Sequence, residues 1–307
     1  MLAPIVLFVY NRPSHTRRTL QALEANYLAE ESDIYIYADA AKTAQDIEQV
    51  NQVRSIIREP WKFKHIYIIE RDQNKGLANS VIEGVTQVVQ KHGKVIVFED
   101  DLESSPFALQ YFNDALNLYE NEEKVMEISG YMYPVQKPKS LQQSFFFRVA
   151  NSWGWATWER AWKHFNPDIE ELTKDFKKKD IKAFSIDGTE NFWKQVKQFK
   201  AGKINSWAIR WYLSVFNQQG LVLYPRRSYI QNIGTDGSGT HSDVDQVYKV
   251  ELANKPVQRF PTQIQEDSNA YQAIKYFYKH RKGTFFERLA RFIEKKIDQK
   301  KAKKANN

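Results

Sequence analysis

The amino-acid sequence predicts an α/β protein whose mainly parallel sheet is flanked by helices. Over the first 130 residues, short β-rich runs alternate with longer segments of helical period. The β-rich runs, such as "PIVLFVY" and "VIVF", are almost continuously apolar, which is typical of parallel strands covered on both faces. Polar and charged residues directly follow several of these runs, at the sheet edge where such folds bind ligands.

The predicted elements follow one another in a regular order. We predict strands at residues 4–10, 33–38, 65–70, 95–98 and 125–129, and helices at residues 16–30, 43–58, 76–92 and 106–121. The fourth helix has a clear start, because Ser105 can cap it and Pro106 suits its first position. Later in the chain we predict a strand in "SFFFRVA", a Lys-rich helix near 171–183, a helix near 207–218, a strand at 220–225 and a Gly-rich loop at 232–243.

The composition and the placement of charge exclude several kinds of protein and of functional site. The 307 residues are 42% hydrophobic, which is ample for a sizeable core. Cysteine is absent, so disulfides, thiolate zinc sites and Cys nucleophiles are excluded. We find no signal-peptide pattern and no apolar membrane span, and we expect a cytoplasmic protein. From Lys279 onward eleven basic residues face three acids, which equals the whole net charge of +8, so a basic nucleic-acid groove across the fold is not expected.

Three adjacent acids, Glu99, Asp100 and Asp101, follow the apolar run "VIVF". Adjacent carboxylates raise one another's pKa, so this position calls for positive charge. Mn²⁺ or Mg²⁺ takes carboxylate ligands and keeps positions open for phosphate oxygens, which suits a diphosphate leaving group. A solvated acidic turn is the alternative. The location between a buried strand and a capped helix favours the metal.

Polar side chains also follow the first three predicted strands. Arg12 follows the first, Asp39 the second, and Arg71 and Lys75 the third. Arg and Lys suit phosphate, and Asp39 could accept a hydrogen bond from a base or ribose. Each residue alone is more typical of an ordinary loop, but together they would line one edge of the sheet. The chain contains neither GxGxxG nor GxxxxGK[ST], so dinucleotide-binding and P-loop folds lack their fingerprints.

Four stretches carry a family resemblance: "PIVLFVYNRP", "ADA", "NKGLANSVIEGV" and "VIVFEDDLESSPFALQYF". They resemble a GT-A (Rossmann-like) nucleotide-sugar glycosyltransferase of the bacterial family 2 type, over roughly residues 4–242. The last stretch also resembles the N-acetylglucosaminyltransferase I family. The resemblance implies that Asp101 binds the metal, that Asp100 faces the donor ribose or the metal, and that Glu99 lies near the donor sugar. It further implies that Arg12 and Asp39 hold the nucleotide, and that His241 contacts the metal or diphosphate.

The implied activity is metal-dependent transfer of a hexose or N-acetylhexosamine from a nucleotide donor. We expect a UDP-sugar as donor and a glycan or lipid-linked glycan as acceptor. Residues 1–130 would form the donor half of one domain, 131–250 its acceptor half, and 251–307 a helical basic tail. A nucleotidyltransferase and a non-catalytic carbohydrate-binding protein are the alternatives.

The aromatic block "NSWGWATWERAW" has two interpretations. Trp155, Trp158 and Trp162 are spaced as one face of a helix, which favours a place in the core. Aromatic rings also stack on sugars. In related transferases a Gly–Trp segment borders the acceptor site, so Trp153 and Trp155 are predicted to contact the acceptor.

The catalytic base departs from the family pattern. Inverting enzymes of this type carry an acid at the start of the helix before the last strand, where this chain has Ala208. The nearest acids in sequence are Asp187, Glu190 and Asp236. We prefer Asp236, because its Gly-rich loop is able to close over a donor. A turn-forming Asp before Gly is the alternative.

The C-terminal segment is basic and amphipathic. Its apolar residues lie near one helical face, and Lys and Arg fill the others: Phe285, Leu289, Phe292, Ile293 and Ile297. We therefore predict peripheral contact with the inner face of an anionic membrane. A helix docked on its own domain is the alternative.

Overall fold

The computed structural model describes residues 1–236 and 246–281. In these residues it confirms the α/β fold, with one large central sheet flanked by helices. None of the helices in the described ranges combines the length and hydropathy that a membrane span requires.

Ten strands form two sheets within the described residues. The large sheet has the order β3-β2-β1-β4-β8-β6-β9-β7, and β10 pairs with β5 in a small second sheet. The strands are β1 (Ile5–Val9), β2 (Asp33–Ala38), β3 (His65–Glu70), β4 (Lys94–Glu99), β5 (Leu102–Ser104), β6 (Val125–Ser129), β7 (Ser144–Phe147), β8 (Trp155–Trp158), β9 (Leu221–Pro225) and β10 (Ile230–Asn232).

The α-helices of the described residues connect and cover these strands. They are α1 (Pro13–Glu24), α2 (Ile47–Ile57), α3 (Leu77–His92), α4 (Ala108–Leu118), α5 (Glu159–Trp162), α6 (Ile169–Thr173), α7 (Lys178–Phe184), α8 (Phe192–Lys200), α9 (Trp207–Asn217) and α10 (Ser268–His280).

The first four strands are parallel, and the order in which they are added to the sheet reverses once. The chain steps outward from β1 to β2 and β3, and then returns to place β4 on the other side of β1. Right-handed crossovers therefore put α1 and α2 on one face and α3 on the other. Helix α3 lies so close to β1 that a Cβ on Gly84 would be 2.8 Å from the Phe8 ring. The carboxyl ends of β1 and β4 thus form a topological switch point.

Strand β8 corrects the prediction for the aromatic block. It runs antiparallel between β4 and β6, so Trp155 and Trp158 lie in a strand and only Trp162 is helical. All three rings are buried, which confirms their place in the core. Trp155 stacks on Trp207 of α9, whereas the Trp158 indole donates to Leu116 O of α4. The strand is covered on both faces, so aromatic residues three apart are both buried.

The observed ends of the other strands agree closely with the ends predicted from the sequence. The observed ends of the helices agree less closely. Strands β2, β3 and β6 have the predicted ends, while α1 ends at Glu24 and α4 begins at Ala108. The predicted Lys-rich helix is two short helices, α6 and α7. Strands β5 and β10 were not predicted, because three-residue strands carry almost no periodicity.

Helix α10 docks on the rest of the fold. Its residues Ala270 and Ile274 are fully buried, and the preceding Glu266 forms a bidentate ion pair with Arg148, just after β7. Helix α10 is therefore packed against the rest of the fold, and the tail predicted over residues 251–307 stays a prediction. The predicted amphipathic stripe, residues 285–297, lies outside the described residues, and the division of residues 1–250 into two halves stays a prediction.

Candidate functional site

The acidic triplet lies at the switch point, where ligands of open α/β sheets bind. Glu99 ends β4, and Asp100 and Asp101 follow it. Arg12 follows β1, the neighbouring strand, and its Nη1 donates to Asp101 Oδ2 at 2.9 Å. Arg12 therefore supplies positive charge at the triplet from within the chain.

The three carboxylates have separate partners. The Trp207 indole hydrogen-bonds to Glu99, and the backbone N–H of Tyr10 donates to Asp100 Oδ2 at 3.3 Å. Burial, followed by the charges of Asp101 and Asp100, raises the pKa of Glu99 to about 8. Burial and then Asp101 raise the pKa of Asp100 to about 7, although Arg12 opposes the shift. Burial also raises the pKa of Asp101, and Arg12 offsets only part of this rise. One guanidinium does not balance three acids, so the site favours further positive charge.

The segment after β10 closes against the triplet. The backbone N–H of Ile233 donates to the Asp101 carbonyl at 2.8 Å, and Asn232 Oδ1 accepts from Gly234 N at 2.8 Å. A Cβ on Gly234 would lie 2.0 Å from Asp101 Oδ2 and 2.9 Å from Arg12 Nη1. Only glycine permits this approach of the backbone to the carboxylate.

This closure brings Asp236 to the site. Its Oδ2 lies 3.1 Å from His15 Nε2, and its Oδ1 lies 3.5 Å from Arg12 Nη2. His15 Nε2 is in turn 3.0 Å from Arg12 Nη2. The structure therefore joins Arg12, Asp101 and Asp236, which the sequence analysis singled out for separate reasons. The Asp236 side chain is 46% exposed.

His15 is a site residue that the sequence analysis missed. It lies three residues after Arg12 in the first turn of α1, and residues three apart are neighbours on a helix. That spacing, directly after a strand end with a polar residue, was the available signal.

Asp39, Arg71 and Lys75 lie at the edge formed by β2 and β3. The Asp39 carboxylate accepts from the backbone N–H groups of Ala40, Lys75 and Gly76, each at 2.9 Å. Arg71 is ion-paired with Glu83 at 2.9 Å. The Lys75 side chain is exposed. Asp39 therefore holds the "NKG" loop in place, and direct donor contacts by these three residues stay a prediction.

The two tryptophans predicted at the acceptor site differ. Trp155 is 0% exposed and stacks on Trp207, with ring centroids 5.2 Å apart, so it has no face open to a sugar. This corrects the prediction for Trp155. Trp153 is partly exposed, and packs edge-to-face on Tyr131 and Tyr248. Acceptor contact by Trp153 stays a prediction.

The other candidate bases are engaged elsewhere. Ser206 caps α9 by accepting from Ile209 N, and the first turn of that helix contains no acid. Asp187 accepts from Lys275 Nζ at 2.7 Å and Glu190 pairs with Arg281, so both acids bind α10 and the turn that follows it. His241 lies outside the described residues.

Whether a divalent metal fits this site depends on how many of its ligands the protein has to supply. Within residues 1–236 and 246–281, no three side chains of His, Cys, Asp or Glu converge as a complete protein-built metal site. Mg²⁺ and similar ions are often held by one or two carboxylates plus substrate phosphates. Asp101, at a cluster with excess negative charge, fits this second type.

Comparisons with known proteins reveal distant structural likeness. No protein-family model matches the chain, and no curated protein matches it. The Staphylococcus aureus TarS 1–349 structure has a TM-score of 0.44 and 10% identity, covering 75% of this chain and 60% of that one. The same TarS fragment in complex with UDP gives a TM-score of 0.43, 10% identity and the same coverage. The mannosyltransferase PcManGT from Pyrobaculum calidifontis, in complex with GDP-Man and Mn²⁺, gives a TM-score of 0.38 and 11% identity over 71% of this chain and 74% of that chain.

The chain thus spans 60% of the length of the TarS fragment.

Proposed function

We propose that this protein is a GT-A-type glycosyltransferase that transfers a sugar from a UDP-linked donor to a glycan hydroxyl. The observation that carries the proposal is the convergence of Arg12, His15, Asp101 and Asp236 at the switch point. An arginine beside clustered carboxylates at the carboxyl edge of a parallel sheet suits a nucleoside diphosphate. The sequence resemblance around residues 95–112 supports the same activity.

Each residue has a role in this proposal. Arg12 binds the diphosphate of the donor, and the exposed Lys75 side chain and Arg71 contribute from the neighbouring edge. Glu99 and Asp100 border the donor sugar and ribose, and Asp39 holds the loop against the nucleotide. Asp101, with His241, would hold Mn²⁺ or Mg²⁺, which would neutralise charge on the departing diphosphate. Trp153 borders the acceptor.

The transfer requires one proton to move. The acceptor hydroxyl oxygen bonds to the anomeric carbon, the bond from that carbon to the diphosphate oxygen breaks, and UDP leaves with the bonding electrons. Asp236 takes the hydroxyl proton as general base. His15, 3.1 Å from its carboxylate, holds Asp236 in position.

The assay that tests this function identifies the released product. The purified chain is incubated with UDP-glucose, UDP-galactose, UDP-N-acetylglucosamine or UDP-N-acetylgalactosamine in Mn²⁺, with EDTA as the control. We expect metal-dependent release of UDP from at least one donor. Release of pyrophosphate from UTP and a sugar 1-phosphate would instead identify a nucleotidyltransferase. A chain that binds glycan but no nucleotide would be a carbohydrate-binding protein.

We further infer a lipid-linked glycan as one class of acceptor, with the enzyme at the inner face of the membrane. The basic C-terminal segment motivates this inference, because several Lys and Arg residues near an anionic bilayer contribute roughly 1 kcal/mol each. Removing residues 284–307 should release the chain from anionic vesicles while leaving UDP affinity unchanged.

A further inference from the structure

A second, basic cleft lies at the same edge of the sheet as the acidic triplet. It has a volume of about 730 Å³ and is bordered by Pro225 at the end of β9. Strand β9 runs in the same direction as β4, because two antiparallel pairings and one parallel pairing connect them. The carboxyl ends of β4 and β9 therefore open to one side of the molecule.

The lining of this cleft has one sign of charge. Four of its twelve lining residues are basic, Lys139, Arg226, Arg227 and Lys255, and none is acidic. No ion pair of the described residues involves any of the four. A concave surface of this kind focuses positive potential and attracts an anion.

Hydrogen bonds hold the walls of the cleft in place. Arg226 donates from its backbone N–H to Gln143 O at 2.8 Å and from Nη1 to Leu141 O at 3.0 Å. The Tyr229 hydroxyl donates to Lys255 O at 2.8 Å, which connects two segments that line the cleft. A site fixed before binding loses less entropy when a ligand enters.

The chain itself connects the cleft to the reacting centre. Tyr229 lines the cleft, and Gly234 touches Asp101 five residues later. Five extended residues span at most about 17 Å. Arg12 already faces the proposed donor diphosphate, so an anion in the cleft would belong to the other substrate.

We propose that this cleft binds a phosphate group carried by the acceptor, which makes the substrate class a phosphorylated or lipid-phosphate-linked glycan. The proposal rests on the proposed function for its assignment to the acceptor. The binding of phosphate in the cleft is testable without any transfer reaction. Arg226, Arg227, Lys139 and Lys255 would contact the phosphate, and the glycan would extend toward Asp236.

The test compares two charge-matched variants of the full chain. Arg227→Gln/Lys255→Gln removes two exposed cations of the cleft, and Lys178→Gln/Lys179→Gln removes two exposed cations of α7. The probes are a fluorescent disaccharide with a terminal phosphate and the same disaccharide without it. Vesicles of phosphatidylglycerol or phosphatidylcholine distinguish a lipid phosphate from a soluble one.

We expect the phosphorylated disaccharide to bind the wild type at least about tenfold more tightly than the neutral one, a difference of about 1.4 kcal/mol. The cleft variant should lose this preference and the α7 variant should keep it. If phosphatidylglycerol vesicles show the same dependence, the phosphate comes from a lipid headgroup. The proposal would be overturned if the cleft variant and the α7 variant bound the phosphorylated disaccharide equally tightly and also bound phosphatidylglycerol vesicles equally tightly.

A UDP-induced shift in melting temperature is measured in parallel for every variant. It should be the same in wild type and cleft variant. A chain that binds the phosphorylated disaccharide through the cleft but never UDP would refute the glycosyltransferase assignment and leave the phosphate site standing.

Discussion

Glu99 at the end of β4 and Glu127 in the middle of β6 are two glutamates in similar surroundings with different consequences. Burial is the main cause that raises the pKa of each to about 8, and each accepts a hydrogen bond from an indole of α9, Trp207 or Trp211. Those tryptophans are one turn apart on the same helix. The two carboxyl groups are thus held by one face of α9.

Their other neighbours distinguish them. Glu99 is partly exposed, and the charges of Asp101 and Asp100 raise its pKa further. Glu127 is 0% exposed and accepts from Asn151 N at 2.8 Å and Trp211 Nε1 at 2.6 Å. Among the described residues no acid raises its pKa. Negative charge at Glu99 can be relieved by a ligand that brings positive charge. At Glu127 the two donors are supplied by the protein, so that residue supports structure, including the loop that leads to Trp153.

The largest expected effect is on folding, at Glu127. Glu127→Ala leaves the Asn151 N–H and the Trp211 indole without acceptors in the core, and each buried unpaired donor costs about 1–3 kcal/mol. We expect a loss of about 3–5 kcal/mol in the free energy of unfolding, measured by urea denaturation. Glu99→Ala should cost less, because Glu99 is partly exposed and its removal leaves one indole donor unpaired rather than two donors in the core. Equal losses in the two variants would erase the distinction between the sites.

The next effect is on binding, at the triplet. Asp101→Asn removes the charge that would hold the metal, so we expect UDP affinity in Mn²⁺ to fall at least about 100-fold, or about 2.7 kcal/mol. The melting temperature should change by less than about 4 °C, because Asn is nearly isosteric and the charged form of Asp101 is disfavoured by burial. Asp114→Asn, on the exposed side of α4, is the matched control. UDP binding that is unchanged in Asp101→Asn would remove Asp101 from the proposed site.

A smaller effect on the same site is expected from the loop that closes over it. Gly234→Ala places a methyl group 2.0 Å from Asp101 Oδ2, so the loop or the carboxylate has to move. We expect about tenfold weaker UDP binding by calorimetry, with about 1.4 kcal/mol lost. Thr235→Ala, the next residue, adds no such contact and should bind as the wild type does. A fully active Gly234→Ala chain would mean that the loop adapts at no cost.

The last effect, which is gradual and small for each fraction of a pH unit, is a change in the pH dependence of stability. The pKa of Glu127 rises from 4.5 to about 8 on folding, so between these values the folded state retains a proton that the unfolded state has lost. Stability should therefore fall as the pH rises from 4.5 to 8, by up to about 1.4 kcal/mol per pH unit from this group.

Glu127→Gln does not titrate and should show a shallower fall over the same range in urea denaturation at several pH values. Its absolute stability should be lower near pH 4.5, where the folded wild type keeps Glu127 protonated at little cost, because the amide offers one acceptor to two donors. Glu103→Gln, a surface residue paired with Arg18, should keep the wild-type slope. An unchanged slope in Glu127→Gln would show that Glu127 stays ionised in the folded chain.

Much of the fold and part of the site were predictable because the relevant signals are local. Short β-rich runs mark the strands, so β2, β3 and β6 were predicted with the correct ends, although β3 lies at the edge of the sheet and is only partly buried. The acids after β4 and Arg12 after β1 lie at strand ends, which the order of elements assigns to one edge. Those two facts were sufficient to predict that Arg12 and the acidic triplet lie close together.

Other features were decided only by the tertiary structure, because they join residues far apart in the chain. The spacing of Trp155 and Trp158 suits a helix, but insertion between β4 and β6 makes that segment a strand. His15 and Asp236 meet only because the segment after β10 folds back on the triplet, and Glu127 acquires its donors from residues 24 and 84 positions away. Sequence periodicity records which faces are buried, whereas the identity of the partner at each face depends on the packing of the whole chain.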